Sequence, residues 1–318
     1  MRLILAPMQG VVDRDMRELL TGIGGYDRCV TEFIRVTDQC FPERVFYRYC
    51  PELYQQGYTR SGTPVYVQLL GGDPIWMAAN AKRAAGLGAP GIDLNFGCPA
   101  KIVNRNDGGS ILLKQPERVA AIVAAVRDAV DPAVPVTVKM RLGFDSAALL
   151  EDIAAGAVEA GATELCIHAR TREDGYKPPA YWHRLKPLAA LNIPIIANGE
   201  IWTVTDALEA QSASGCQDLM LGRGALACPG LARQIKGHYR GEPVDAIPWG
   251  QMLTSLQAFF EQCDQWSPRY VGSRTKQWLS YLQRHYIGAE QLFTQIKRLT
   301  RVDEIQAVIE RHLLRYEG

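Results

Sequence analysis

Along roughly the first three quarters of the chain, short apolar runs alternate with longer stretches of helical periodicity. The runs cover residues 3–8, 29–34, 64–70, 91–95, 134–140, 164–168, 193–197 and 218–221, each followed by a polar or glycine-rich turn. Between them, residues 74–85, 116–130, 147–160, 204–213 and 229–239 read as helices, two of them opened by Pro74 and Pro116 where a first helical turn tolerates proline. Runs that are apolar throughout, rather than at every second position, belong to strands buried on both faces, as in a parallel sheet covered by helices. Eight such units in about 240 residues predict an α/β fold, a (β/α)8 TIM barrel, whose usual size is about 250 residues. A doubly wound open sheet is the alternative, weakened because no G-x-G-x-x-G opens the first helix.

The pattern changes after Pro248. Strand signals stop, and apolar residues recur at helical spacing: Leu253, Leu256, Phe259 and Phe260, then Trp278, Leu279 and Leu282, then Ile305, Val308, Ile309 and Leu313. The expected organisation is a barrel over 1–243 and a small all-helical C-terminal domain over 244–318, with the linker at 241–245.

A barrel places function where its strands end. The ends read Pro7-Met8-Gln9, Glu32 with Arg35, Gln68, Asn95 with Cys98, Lys139 with Arg141, His168 with Arg170, Asn198-Gly199-Glu200, and Gly222-Arg223-Gly224. Buried strands ask for apolar side chains, so polar groups closing all eight runs mark a site. The last two ends are glycine turns after strands seven and eight, where barrels bind phosphate, and Arg223 adds a guanidinium suited to it. In Asp93-Leu94-Asn95-Phe96-Gly97-Cys98-Pro99-Ala100-Lys101, an amide that donates and accepts stands three residues before a thiol. With a reference pKa of about 8.5 that thiol is mostly protonated at neutral pH. On this turn alone, a cysteine acting as small buried filler remains the alternative.

Composition narrows the classes further. A chain of 318 residues with 47 % hydrophobic and 22 % charged residues is ordinary for a globular protein. A net charge of +1 excludes a globally basic nucleic-acid binder but leaves room for a local patch. Residues 265–289 supply one: Arg269, Arg274, Lys276 and Arg284 without any acidic residue, interleaved with Trp266, Tyr270, Trp278, Tyr281 and Tyr286. Cations with aromatics suit an RNA backbone and its exposed bases, and equally an amphipathic helix with core aromatics. The eight cysteines form no C-x-x-C pair, which argues against a zinc site or redox dithiol. With no signal-like leader and no apolar run of ~20 residues, the expected location is the cytoplasm.

These motifs resemble a known family. Ala6-Pro7-Met8, Val67-Gln68-Leu69, Asp93–Pro99, Val138-Lys139-Met140-Arg141-Leu142-Gly143, Ile167-His168-Ala169-Arg170-Thr171, Ala197-Asn198-Gly199-Glu200-Ile201 and Leu221-Gly222-Arg223-Gly224-Ala225 look like a tRNA-dihydrouridine synthase. The N-x-G-C-P element is the most specific, and Ala169 departs from the glycine common in the family. Thr31-Glu32-Phe33-Ile34-Arg35 and Arg274-Thr275-Lys276-Gln277-Trp278-Leu279 are most similar to the bacterial C-type subgroup.

The resemblance implies reduction of the C5–C6 bond of a D-loop uridine, at tRNA position 16 for that subgroup. It implies FMN as hydride source and NADPH as reductant. Asn198, Gly199, Glu200, Gly222 and Arg223 would take the ribityl-phosphate end, Pro7, Met8 and Gln9 would border the ring, and Gln68 would bond its edge. Lys139 would face the end that becomes anionic, and His168 would touch flavin and substrate. Cys98 would be the general acid at C5, Asn95 and Arg141 would grip the uracil, and Arg35, Arg274 and Lys276 would meet the tRNA. The expected protein is a monomer with no metal. The rivals are a dihydroorotate-type flavin barrel acting on a free pyrimidine, an aldolase with Lys139 as Schiff base, and an inactive tRNA-binding module.

Overall fold

The structure, a computed structural model, describes residues 1–266 and 268–316. Residue 267, in the basic and aromatic stretch, and residues 317–318 of the expected helical domain lie outside the described residues.

Nine strands make one sheet: β1 (Leu3–Leu5), β2 (Arg28–Val30), β3 (Ile34–Arg35), β4 (Val65–Leu70), β5 (Ile92–Phe96), β6 (Val136–Arg141), β7 (Glu164–His168), β8 (Ile195–Asn198) and β9 (Asp218–Leu221). Their pairings are parallel, β1 pairs with both β2 and β9, and β2 pairs with β4, so the sheet closes on itself. β2 and β3 both lie along β4 and form one interrupted stave, which makes the ring eight-fold. The interruption is fixed by Thr31, whose hydroxyl accepts the Gln68 N–H at 3.0 Å. Closure excludes the open-sheet alternative: this is a TIM barrel.

The helices follow the strands. α1 (Arg14–Ile23), α2 (Glu43–Tyr49), α3 (Pro74–Gly86), α4 (Lys101–Arg105), α5 (Pro116–Ala129), α6 (Leu150–Glu159), α7 (Val204–Ser214), α8 (Arg223–Ala227) and α9 (Leu231–Arg240) belong to the barrel. Between β7 and β8 the crossover is a 3-10 segment, Trp182–Leu191, because Pro187 at its centre lacks the N–H an α-helix needs there. Side chains on one sheet face pack against these helices, while Ile4, Ala6, Val30, Tyr66, Cys166, Ile196 and Met220 fill the barrel interior.

Strand alternation explains what the interior holds. Successive side chains point to opposite faces, so the inward row of β5 is Asp93 and Asn95, that of β6 is Thr137, Lys139 and Arg141, and that of β7 is Glu164, Cys166 and His168. The register sets Asn95 beside Lys139, Arg141 beside His168, and His168 beside Asn198. The barrel therefore has three layers. Arg2, Arg28, Glu164 and Asp218 close the bottom through ion pairs of 2.6–3.0 Å, apolar side chains fill the middle, and the polar strand ends stand at the top.

α10 (Trp249–Trp266), α11 (Val271–Leu282), α12 (Ile287–Ile296) and α13 (Val302–Leu314) form the C-terminal part. The apolar positions read from the sequence are buried there, except Leu313, which is partly exposed. α11 packs on α8 at the mouth of the barrel, with the Trp278 indole N–H donating to the Leu226 carbonyl at 3.2 Å. Among the described residues no helix is long and apolar enough to cross a membrane.

Candidate active site

At the C-terminal ends of the strands lies a cavity of about 580 Å³, within the ~300–1,000 Å³ range of cofactor pockets. Every residue expected to hold FMN lines it, as do Asn95, Cys98 and Arg141. Arg35, Arg274 and Lys276 do not. The inward rows of neighbouring strands converge here, which is why residues far apart in sequence meet.

Cys98 sits in a turn clasped from both sides. Its backbone N–H, and that of Gly97, donate to Asn95 Oδ1 at 3.0 and 2.9 Å. Its carbonyl accepts from Ser110 Oγ at 2.9 Å and Asn104 Nδ2 at 3.0 Å. Gly109 makes this close approach possible: its φ is +67°, and a Cβ there would lie 2.8 Å from the Cys98 carbonyl oxygen. Burial pushes the thiol pKa up, against weaker opposing pulls from the Ala100 N–H and Arg141. The side chain is thus a protonated thiol at neutral pH, half-buried on the cavity wall.

Asn95 and Gln68 are less free than expected. Asn95 Nδ2 donates to Gln68 Oε1 at 2.8 Å, and Gln68 Nε2 donates to Asp93 Oδ2 at 2.7 Å. Each amide keeps one N–H beyond these bonds. Asn95 Oδ1 already accepts two bonds, so a contact of Asn95 with a uracil edge is narrowed to its remaining N–H, whereas Gln68 also keeps a lone pair on Oε1 for a ring edge.

The opposite wall is cationic. Lys139 Nζ donates to Asn198 Oδ1 at 3.1 Å, and burial lowers its pKa from the usual lysine value. Burial, reinforced by Arg141, Lys139, Arg170 and Arg223, holds His168 well below the ordinary histidine pKa, so its imidazole is neutral. Gly199 packs against that ring: a Cβ would lie 2.6 Å from His168 Cδ2, and its φ of +109° disfavours any side chain. The Glu200 side chain does not face a phosphate as a free group. Burial alone would raise its pKa, but Arg170, Trp202 and Arg223 outweigh that and hold the carboxylate ionised. Its role is to seat the Arg223 guanidinium, 3.6 Å away.

The three residues expected to meet the tRNA, Arg35, Arg274 and Lys276, stand outside the cavity lining. Arg274 is part-buried and tethers α11 to the β1–α1 loop, pairing with Asp13 at 2.6 Å and donating to the Gly10 and Val11 carbonyls. Asp13 also caps α1 through the Met16 N–H, so one carboxylate fastens two elements. Lys276 donates to the Leu299 carbonyl. At Arg274, RNA would compete with these existing partners, whereas Lys276 spends one of its three N–H donors on Leu299. Arg35 ends β3 away from the cavity lining, where Phe33 stands instead. Arg141 is engaged as well: its guanidinium donates to the Gly97, Thr171 and Gly175 carbonyls at 2.8–2.9 Å, tying the Cys98 turn to the β7 loop.

Two lining residues escaped sequence reasoning. Tyr176 stands under both Arg141, at 5.0 Å, and Arg223, at 5.1 Å. Trp202 lies between Arg223, at 5.0 Å, and Arg284 of the segment after α11, at 4.4 Å. Each is an aromatic in a charged loop just beyond a strand end, a signal available from the sequence.

The dihydrouridine synthase (Dus) family model matches residues 4–314. The chain belongs to the dihydrouridine synthase family. It is 48 % identical over 311 residues to a tRNA-dihydrouridine(16) synthase of Cupriavidus necator, covering 97 % of this chain and 96 % of that one. It is 49 % identical over 316 residues to a tRNA-dihydrouridine(16) synthase of Shewanella oneidensis, covering 98 % of each. Among solved structures it is similar to histamine dehydrogenase from a Rhizobium species, with TM-score 0.57 and 14 % identity over 81 % of this chain and 49 % of that one. A variant of NCR from Zymomonas mobilis gives TM-score 0.53 and 14 % identity over 77 % of this chain and 88 % of that one. These two likenesses concern the fold.

In this dihydrouridine synthase the alanine at 169 leaves the site intact. Ala169 is fully buried, and its backbone donates to Asn198 and accepts from Tyr181 at 2.9 and 2.7 Å. Its methyl joins the core and removes no polar group from the cavity.

Proposed function

We propose that this protein is a tRNA-dihydrouridine(16) synthase using FMN and NADPH, acting as a monomer in the cytoplasm. In this reading residues 1–243 are the catalytic barrel and 244–318 help hold the tRNA. The observation that carries it is Cys98, a thiol held protonated on the wall of the same cavity as Lys139, neutral His168 and Arg223.

The residues present suit a flavin. Ala6, Pro7, Met8 and Met220 offer an apolar wall, Arg223 a cation, and Gly199 and Gly222 room beside the backbone. Arg223 with the Gly199 and Gly222 turns would hold the phosphate end. FMN held there would supply hydride chemistry for C6 of the uracil, with NADPH as the reductant. Cys98 holds the proton that C5 receives, and a thiol above neutral in pKa keeps it until needed. Asn95 keeps that thiol in place while its remaining N–H faces the base. Lys139 favours negative charge developing nearby.

The target base must leave its stack, at a cost of a few kcal/mol. Arg284 and Arg269, both exposed, with Trp266 (65 % exposed) and Tyr270 (55 % exposed), offer cations and stacking surfaces for the surrounding RNA. Tyr281 of the same helical part lines the cavity itself. The test is to delete the encoding gene and map dihydrouridine across total tRNA. Loss at position 16 alone is expected; loss elsewhere, or no loss, overturns the assignment.

A further inference from the structure

Six residues from three strands and the β5–α4 turn form one unbroken chain of hydrogen bonds, buried along the strands and part-buried at the turn. Thr137 Oγ1 donates to Asp93 Oδ1 at 2.6 Å, and Gln68 Nε2 donates to Asp93 Oδ2 at 2.7 Å. Asn95 Nδ2 donates to Gln68 Oε1 at 2.8 Å, and the Gly97 and Cys98 N–H groups donate to Asn95 Oδ1 at 2.9 and 3.0 Å. Asp93, Gln68 and Thr137 are all at most 2 % exposed, so no solvent competes for these bonds.

A chain of carboxamides has a direction. Gln and Asn each present oxygen on one side and NH2 on the other, and either could be rotated by half a turn with little change of shape. Both ends are fixed by chemistry: the Gly97 and Cys98 N–H groups only donate, the Asp93 carboxylate only accepts, and the chain is fully bonded because the two ends ask for the same direction. Burial raises the Asp93 pKa, against the bonds from Gln68 and Thr137 and the charges of Arg28 and Lys139; with both oxygens accepting, the carboxylate gives no proton and Gln68 turns its NH2 toward it. That leaves Gln68 Oε1 facing Asn95, which must then turn its own NH2 to Gln68 and its oxygen to the Cys98 turn. Reversed, Asn95 would set an NH2 against the two N–H groups of Gly97 and Cys98, and the turn would lose both bonds.

We infer that Asp93 is a positioning residue that sets, through Gln68, the orientation of Asn95 and thereby the place of the Cys98 thiol. The inference deepens the proposed activity, in which Cys98 delivers the proton, but its geometric part stands apart from that activity. Asp93 touches neither the thiol nor the cavity; it acts two side chains away.

The test uses the full-length protein and two variants. Asp93→Asn leaves size and shape unchanged but places an amide at the acceptor end, whose NH2, turned to Gln68, would set the chain against the direction the turn needs. Asp93→Asn with Gln68→Glu moves the carboxylate one link along. The relocated carboxylate then accepts from both neighbours, and Asn95 is again obliged to turn its NH2 toward it, with the same buried charge. Two readouts are taken: the rate at which iodoacetamide alkylates Cys98, followed by peptide mapping, and the rate of dihydrouridine formation in tRNA. For Asp93→Asn the expected result is at least a fivefold change in the Cys98 alkylation rate and at least a tenfold fall in kcat, with KM for tRNA within twofold. The double variant is expected to return the alkylation rate to within about twofold of the native protein, which a merely space-filling role for Asp93 would not produce. Native alkylation in Asp93→Asn overturns the inference. So does a double variant that melts like the native protein yet keeps an altered alkylation rate, and this comparison holds even where the single variant does not fold. If no form of the protein makes dihydrouridine, the activity is refuted while the alkylation series still decides the positioning.

Discussion

Asn95 Oδ1 lies 3.0 Å from the backbone nitrogen of Cys98 and accepts its N–H. The amide that looks, in sequence, like a reader of substrate is first a brace for the thiol three residues on. With Ser110 and Asn104 holding the Cys98 carbonyl, the turn has no slack along its backbone. Proton delivery by a side chain depends on hydrogen-bond reach to the accepting carbon, so fixing the turn fixes the reaction geometry.

The pH profile follows from the shifts. Burial raises the Cys98 pKa above the ordinary thiol value. The protonated donor is therefore present through neutral pH and is lost only as pH rises through that raised value. The alkaline limb of kcat/KM should lie above about 8.5, the reference for a free thiol. His168 is already neutral, so no acid limb from it should appear near the histidine reference of about 6.5. A profile of single-turnover rates from pH 6 to 10 checks both, and an alkaline limb centred near 7 would contradict the account.

Gly199→Ala tests the cofactor end. The new methyl meets the His168 ring and must adopt a φ of +109°, which costs more than about 1 kcal/mol at an incompatible position. Purified variant should carry markedly less flavin than the native protein by absorbance, with the fold retained by circular dichroism. Undiminished flavin content would show that this turn does not border the cofactor.

The barrel was legible because each strand carries an apolar row toward the helices, and residues such as Leu94 or Ile167 leave no doubt about burial. The strand ends were legible for the same reason: polar Gln68, Lys139 and His168 stand out against that background. Their partners were not. That Gln68 bonds Asp93 and Asn95, or that Glu200 bonds Arg170, depends on register between strands, which a single sequence does not encode locally. In the basic stretch, composition left open where each cation points. Arg274 and Lys276 share a composition with Arg269 and Arg284, yet the first two turn inward to Asp13 and Leu299 because α11 packs on the barrel. Composition reports charge, not its direction.

That difference gives a paired prediction. Arg284→Ala removes an exposed cation stacked on Trp202; tRNA affinity should fall several-fold and the salt slope of log K should drop by about 1, with melting unchanged. Arg274→Ala removes the tether to Asp13 and should lower stability by about 1–2 kcal/mol, a shift of a few degrees in Tm. Thermal melts and filter binding over a salt series separate the two, and the reverse pattern would show that Arg274 is the RNA contact.

The central claim is that Cys98 delivers the proton that completes dihydrouridine. Its most direct test is a single-turnover reaction of flavin-reduced protein with tRNA lacking dihydrouridine, comparing the native chain with Cys98→Ala. The account predicts product at position 16 for the native protein and a rate about 10²–10⁴ lower for the variant, the usual worth of a general acid, with flavin content and tRNA affinity unchanged. A variant that forms dihydrouridine at the native rate would contradict it.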